Sequence, residues 1–162
     1  MAFSVDAKTG NITPLIYANG LTATADASFN SVLYRAETGD APSSYLHNVK
    51  QGADIPLSFS PIPEKCAWGN TATTTLYCGS PITYVDSTYL DQWHKGLASA
   101  ADAIISFVPA QNARSSAVAV PGSTDGGVQS DILEMTVSPD DKYLMFIKKG
   151  DRSLWGVRLG QY

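Results

Sequence analysis

The two cysteines of this chain, Cys66 and Cys78, are the residues whose spacing most directly implies a bond. Each stands in a strand-like run, Lys65-Cys66-Ala67-Trp68-Gly69 and Thr75-Leu76-Tyr77-Cys78, and both are equidistant from Ala72. A hairpin turning at Ala72 sets them opposite one another. Cross-strand Cβ atoms then lie about 4.5–5.5 Å apart, within reach of a disulfide after slight adjustment. The competing reading is a pair of buried free thiols. We expect the disulfide, and with it an exported protein, because reducing compartments do not preserve such bonds. A catalytic thiol is not expected, since no histidine sits near either cysteine in sequence. Two thiols with only His47 and His94 to assist make a poor zinc site, and no cofactor is expected.

The segment Tyr84-Val85-Asp86-Ser87-Thr88-Tyr89-Leu90-Asp91-Gln92-Trp93-His94-Lys95-Gly96 mixes rings with polar groups. That mixture suits a sugar or a peptide, where rings stack and polar groups select. Tyr89, Asp91, Trp93 and His94 are the candidate ligand-binding residues. In the plainer reading Tyr89 and Trp93 plug the segment onto the fold and His94 is solvated. Asp86 with Asp91 suggests a glycosidase pair only if their separation fits that chemistry. No Gly-x-Ser-x-Gly elbow supports a serine nucleophile, and no catalytic residue is assigned. Gly122-Ser123-Thr124-Asp125-Gly126-Gly127 lacks the lysine of a phosphate-binding loop and reads as a flexible connection. Asp125, Asp131, Asp140 and Asp141 bind calcium only if the fold gathers them.

Composition narrows the partners. Charged residues make up 16% of the 162 residues and hydrophobic ones 44%, with a formal net charge of −4. An acidic chain without a Lys/Arg cluster is a poor match for nucleic acid, whose phosphates demand neutralisation. No apolar run approaches the roughly 20 residues of a membrane helix. Met1-Ala2-Phe3-Ser4 lacks the charged and apolar regions of an export signal. If the protein is exported, its targeting segment lies outside this chain.

The elements that must position these residues are short strands in a repeated order. Ile132 to Val137, the turn Ser138-Pro139-Asp140-Asp141-Lys142, Tyr143 to Ile147, a second turn at Lys149-Gly150-Asp151-Arg152, and Ser153 to Leu159 read as a three-stranded meander. The same grammar runs from Leu21 through Asp26-Ala27-Ser28-Phe29-Asn30 into Ser31 to Arg35, then past Thr38 to Pro42 into Ser44 to Val49. Ile55 to Phe59 supplies a fourth strand. A middle copy turns at Gly69. Its remaining strands, Ile104 to Val108 and Ala117 to Val120, follow an insertion at residues 83–103. Asp26, Gly69 and Ser138 thus occupy equivalent places, 43 and 69 residues apart. The first step matches the ~40–45-residue period of propeller blades, and the insertion accounts for the excess in the second. Trp68 and Trp155 are expected in the core between repeats.

Ser138 to Leu144 followed by Ser153-Leu154-Trp155 resembles the propeller repeats of the Tol-system periplasmic family and of prolyl oligopeptidases. Pro63-Glu64-Lys65-Cys66-Ala67-Trp68, Leu76-Tyr77-Cys78-Gly79-Ser80-Pro81 and Gln92-Trp93-His94-Lys95-Gly96 look more like uncharacterised, often membrane-tethered, bacterial propeller proteins. The resemblance covers most of residues 20–160. It implies a fold and little about function, since propellers host unrelated roles.

The expected architecture is therefore all-β: about three four-stranded antiparallel propeller blades preceded by a half blade. Residues 1–16 hold the N-terminal strands, 17–60 the first blade, 61–121 the second with its insertion, and 122–162 a third lacking its last strand. Propellers have about four to eight blades, so three require a partner. The expectation is a symmetric homodimer in which Ile12 to Ile16 of each chain completes the other's last blade, giving six blades and leaving Phe3 to Val5 surplus. The expected function is a non-catalytic binding or scaffold module in an extracytoplasmic setting, periplasmic or at the cell surface. The alternatives are a carbohydrate- or peptide-active propeller that uses the insertion, and an excised or engineered fragment without native activity.

Overall fold

The computed structural model describes residues 1–38, 41–70, 75–108, 116–119 and 131–159. The chain is all-β, built from small antiparallel sheets with, among the described residues, one short α-helix, and divides into two compact units, Met1–Ser60 and Pro61–Tyr162.

In the first unit, β1 (Ala2–Val5) and β2 (Ile12–Ile16) form a hairpin. Asp6 organises its turn by accepting the Lys8 and Thr9 N–H groups at 2.8 Å. β3 (Thr22–Ala25), β4 (Ser31–Thr38), β5 (Ala41–Asn48) and β6 (Ala53–Pro56) then follow as a four-stranded meander in chain order. The last strand starts earlier than the sequence suggests. Gly52 adopts φ +62° and returns its N–H to the Asn48 carbonyl, so pairing begins at once with Ala53 opposite Asn48. The strand ends at Pro56, and one further backbone bond follows, from the Leu57 N–H to the Ser44 carbonyl at 2.9 Å. Ile16, Val32, Tyr34 and Ala36 form the core, and the Tyr34 and Tyr45 rings stack with centroids 5.1 Å apart.

The second unit opens with a 3-10 turn, Pro63–Lys65. β7 (Cys66–Trp68), β8 (Leu76–Pro81), β9 (Asp102–Phe107) and β10 (Ser116–Ala119) form a second four-stranded meander. The expected insertion separates β8 from β9 and carries α1 (Tyr89–His94). β11 (Ile132–Val137), β12 (Tyr143–Lys148) and β13 (Leu154–Arg158) make a three-stranded sheet. Ala67 and Ile104 from the former sheet pack with Ile132, Met135, Val137, Leu144 and Phe146 from the latter. Gly79 permits that approach, because a Cβ there would stand 3.2 Å from the Ile132 Cβ. The two tryptophans expected between repeats are not fully buried in the core. Trp68 is half-buried, and Trp155 is 45% exposed, its ring under the Lys148 ammonium and its Nε1–H donated to Ser153. The register sets Trp155 opposite Phe146 on the same face of the sheet, but on its outer strand, where the ring stays partly open to solvent.

The three aligned turn positions do the same work. The N–H of Asp26 bonds the Ser31 carbonyl at 3.0 Å, Gly69 bonds Thr75 at 2.7 Å, and Ser138 bonds Tyr143 at 2.8 Å. The outer two agree further. Asp26 and Ser138 each cap two later N–H groups through the side chain, and the residues three further on, Phe29 and Asp141, have φ +56° and +53°. Within the second unit the neighbouring turns clasp: Asn70 donates its backbone N–H to Asp141 at 2.8 Å and its amide to the Ser138 carbonyl at 3.1 Å.

Candidate functional site

β7 and β8 pair in the register that the spacing implies, with Cys66 opposite Cys78 and their Cα atoms 4.1 Å apart. They form a disulfide. Such a bond belongs to oxidising surroundings. Among the described residues no helix is long and apolar enough to cross a membrane.

The insertion divides its four candidate residues between two faces. Helix periodicity places Tyr89 and Trp93, four apart, on one side, where both are buried with Ile62 beneath Val85, Leu90, Ala98 and Ala100. Asp91 and His94 point outward. Asp91 pairs with Lys95 at 2.6 Å, and the His94 imidazole, half exposed, lies 3.5 Å from Glu64. The structure therefore gathers two of the four as a hydrophobic plug and leaves the others on the surface. Beside the plug is a cleft of about 290 Å³ lined by Thr83, Tyr84, Asp86, Thr88, Gln92 and Ser99, among others. Tyr84 is 81% exposed at its rim.

The floor of this region is ionic, which the sequence did not announce. Lys65, set at the end of the 3-10 turn, has its side chain wholly buried. Its Nζ lies 2.7 Å from Asp102 Oδ2 and 2.5 Å from Asp131 Oδ1. Asp102 begins β9 and also accepts the Ile132 N–H at 2.9 Å. Asp131, just before β11, accepts the Trp93 indole N–H at 2.9 Å and the Ser99 hydroxyl at 2.8 Å. A second cation, Lys149, donates to the Trp93 and Ala98 carbonyls at 2.7 and 3.0 Å and stands 3.8 Å from Asp131. Both ammonium groups lie near the Trp93 ring, at 5.0 Å for Lys65 and 4.4 Å for Lys149. Burial raises the Asp102 pKa despite the opposing pull of Lys65. Burial also lowers that of Lys149, against the attraction of Asp131.

Two lysines and two aspartates thus balance around one indole, linking the insertion to three strands. Lys65 stands in the Pro63-Glu64-Lys65-Cys66 segment, but nothing in a single sequence marks a lysine as buried. Among the described residues Asp131 is the one calcium candidate drawn inward, toward a lysine. Asp140 and Asp141 remain in the exposed turn, and Asp125, with the whole of 122–127, lies outside the described residues. Among the described residues no three His, Cys, Asp or Glu side chains gather to hold a metal ion. Chemically, the cluster braces the cleft, and the exposed hydroxyl and amide groups above it offer hydrogen bonds to a ligand. Neither the known protein-family models nor the curated proteins contain a match to this chain.

Proposed function

We propose that the chain is a non-catalytic β-propeller binding module that works outside the cytoplasm, in a periplasmic or cell-surface setting, and takes a glycan or peptide at the cleft of its insertion. The observation that carries this reading is the cleft itself. Its rim presents the Tyr84 ring, the Thr83 and Thr88 hydroxyls and the Gln92 amide, while its base is braced by the buried ion cluster. A ring for stacking beside several neutral polar groups is the recognition chemistry of sugars and of extended peptides. The propeller reading is supported by the three meanders with their equivalent turns and, within the second unit, by the packing of its two sheets against one another. The disulfide supports the oxidising location.

Closure into a ring is proposed through a second copy. Among the described residues the last sheet has three strands where the other two meanders have four. Its outer strand exposes Leu154 at 72% and Trp155, and the N-terminal hairpin exposes Phe3, Val5 and Ile12 at 52–66%. β2 of one chain added to β13 of the other covers both.

Binding is tested by NMR titration with oligosaccharide and peptide panels. Shifts confined to Thr83–Ser99, lost in Tyr84→Ala and Gln92→Ala but kept in Asp91→Asn, are the expected result. Turnover of any probe that Asp91→Asn abolishes defeats the reading.

A further inference from the structure

We propose that Lys65 and Asp102 condense to an intramolecular isopeptide bond, with Asp131 as the proton carrier. The required groups are already in contact. The Lys65 Nζ is shared between Asp102 Oδ2 and Asp131 Oδ1, and all three side chains are 3% exposed or less. The Tyr89 and Trp93 rings lie over the amine, at 5.9 and 5.0 Å, and shield the site from bulk water. Holding amine and acid together in this way replaces a bimolecular encounter by an internal one.

The two oxygens of Asp102 are not alike. Oδ2 receives the Ile132 N–H, which stays in place to stabilise negative charge as the carbon becomes tetrahedral. Oδ1 is buried and has no hydrogen-bond partner among the described residues; it is the oxygen that departs. Burial favours the neutral acid form of Asp102.

The step balances without an outside reagent. One proton passes from the Lys65 ammonium through Asp131 to the Asp102 carboxylate, giving a neutral amine and a neutral acid. The nitrogen lone pair then forms a bond to the Asp102 Cγ. Asp131 takes the surplus proton from that nitrogen and delivers it to the hydroxyl on Cγ. The Cγ–Oδ1 bond breaks and water leaves. An amide replaces the ion pair, nothing is oxidised or reduced, and Asp131 returns to its carboxylate, still facing Lys149. The product also relieves the desolvation that a buried ion pair carries. None of this depends on what occupies the cleft.

Intact-mass measurement of the purified full chain, denatured and not reduced, tests the proposal. The expected mass is that of the sequence less one water and less the two hydrogens of the disulfide. Tryptic digestion should leave the Lys65 bond uncut and yield a branched peptide joining the segments that carry Lys65 and Asp102. Lys65→Arg, which retains the charge but lacks the primary amine, should restore the missing water. A folded wild-type chain that keeps its full water content overturns the proposal. So does a water loss that tandem fragmentation maps to any other pair, and neither reading requires the variant to fold.

Discussion

Lys149 shows how much one side chain can hold. Its ammonium ties the end of α1 to the loop after it through the Trp93 and Ala98 carbonyls, and its charge lies over the indole. Lys149→Met keeps the stem but strands two carbonyls and leaves the Asp131 charge less compensated. We expect a loss of about 2–4 kcal/mol in urea unfolding. At the opposite extreme, Asp140 sits on the surface, where the Ser138 hydroxyl and the Lys142 groups hold its carboxyl down from an ordinary 3.8 to about 2. A depressed carboxylate pKa favours folding above the ordinary value, and the benefit is lost as the pH falls through the lower one. The relevant window therefore lies between about pH 4 and pH 2. In Ser138→Ala the Asp140 midpoint, followed by carboxyl NMR, should climb toward 3.8. The sequence marked Ser138 as a turn residue because Ser-Pro-Asp-Asp has few other uses. It could not mark Lys65, since lysine is almost always a solvated residue and its burial is decided by partners 37 and 66 positions away.

At the scale of elements, the hairpin of β7 and β8 was legible because antiparallel register follows from symmetry about a turn. Cys66 and Cys78, placed evenly about Ala72, had to face one another once the strands paired. The bond closes a short loop, with a sequence separation of 12, and loops of this size contribute about 2–4 kcal/mol. Reductant should lower the unfolding midpoint accordingly, and the Cys66→Ala, Cys78→Ala double variant should become insensitive to reductant. Less legible was the division of labour on α1. A line of text allows two readings of Tyr89, Asp91, Trp93 and His94: one recognition surface, or Tyr89 and Trp93 plugging the segment onto the fold with His94 solvated. A helical period of 3.6 puts Tyr89 and Trp93 on the inner side and sends Asp91 and His94 out. β6 shifted for a comparable reason, its start dictated by the left-handed Gly52 and not by the apolar run that begins at Ile55.

For the whole molecule, the repeat was readable from turn chemistry before any strand was placed. Asp26, Gly69 and Ser138 repeat one backbone hydrogen bond in three places. How repeats assemble is a matter of unmatched edges. If β2 of a second copy completes the sheet of β11 to β13, light scattering should give twice the chain mass, and a charge at the seam, Leu154→Lys, should halve it while leaving the circular dichroism unchanged. A wild-type monomer defeats that arrangement. The cleft has a consequence of another kind. Its rim residues Thr83, Tyr84 and Asp86 stand on a connection whose footing, Trp93 with its two ammoniums and Asp131, is provided from below. Under the proposed binding role, substitutions along the upper edge would leave the foundation undisturbed, so that one frame could carry different specificities and accept grafted ones.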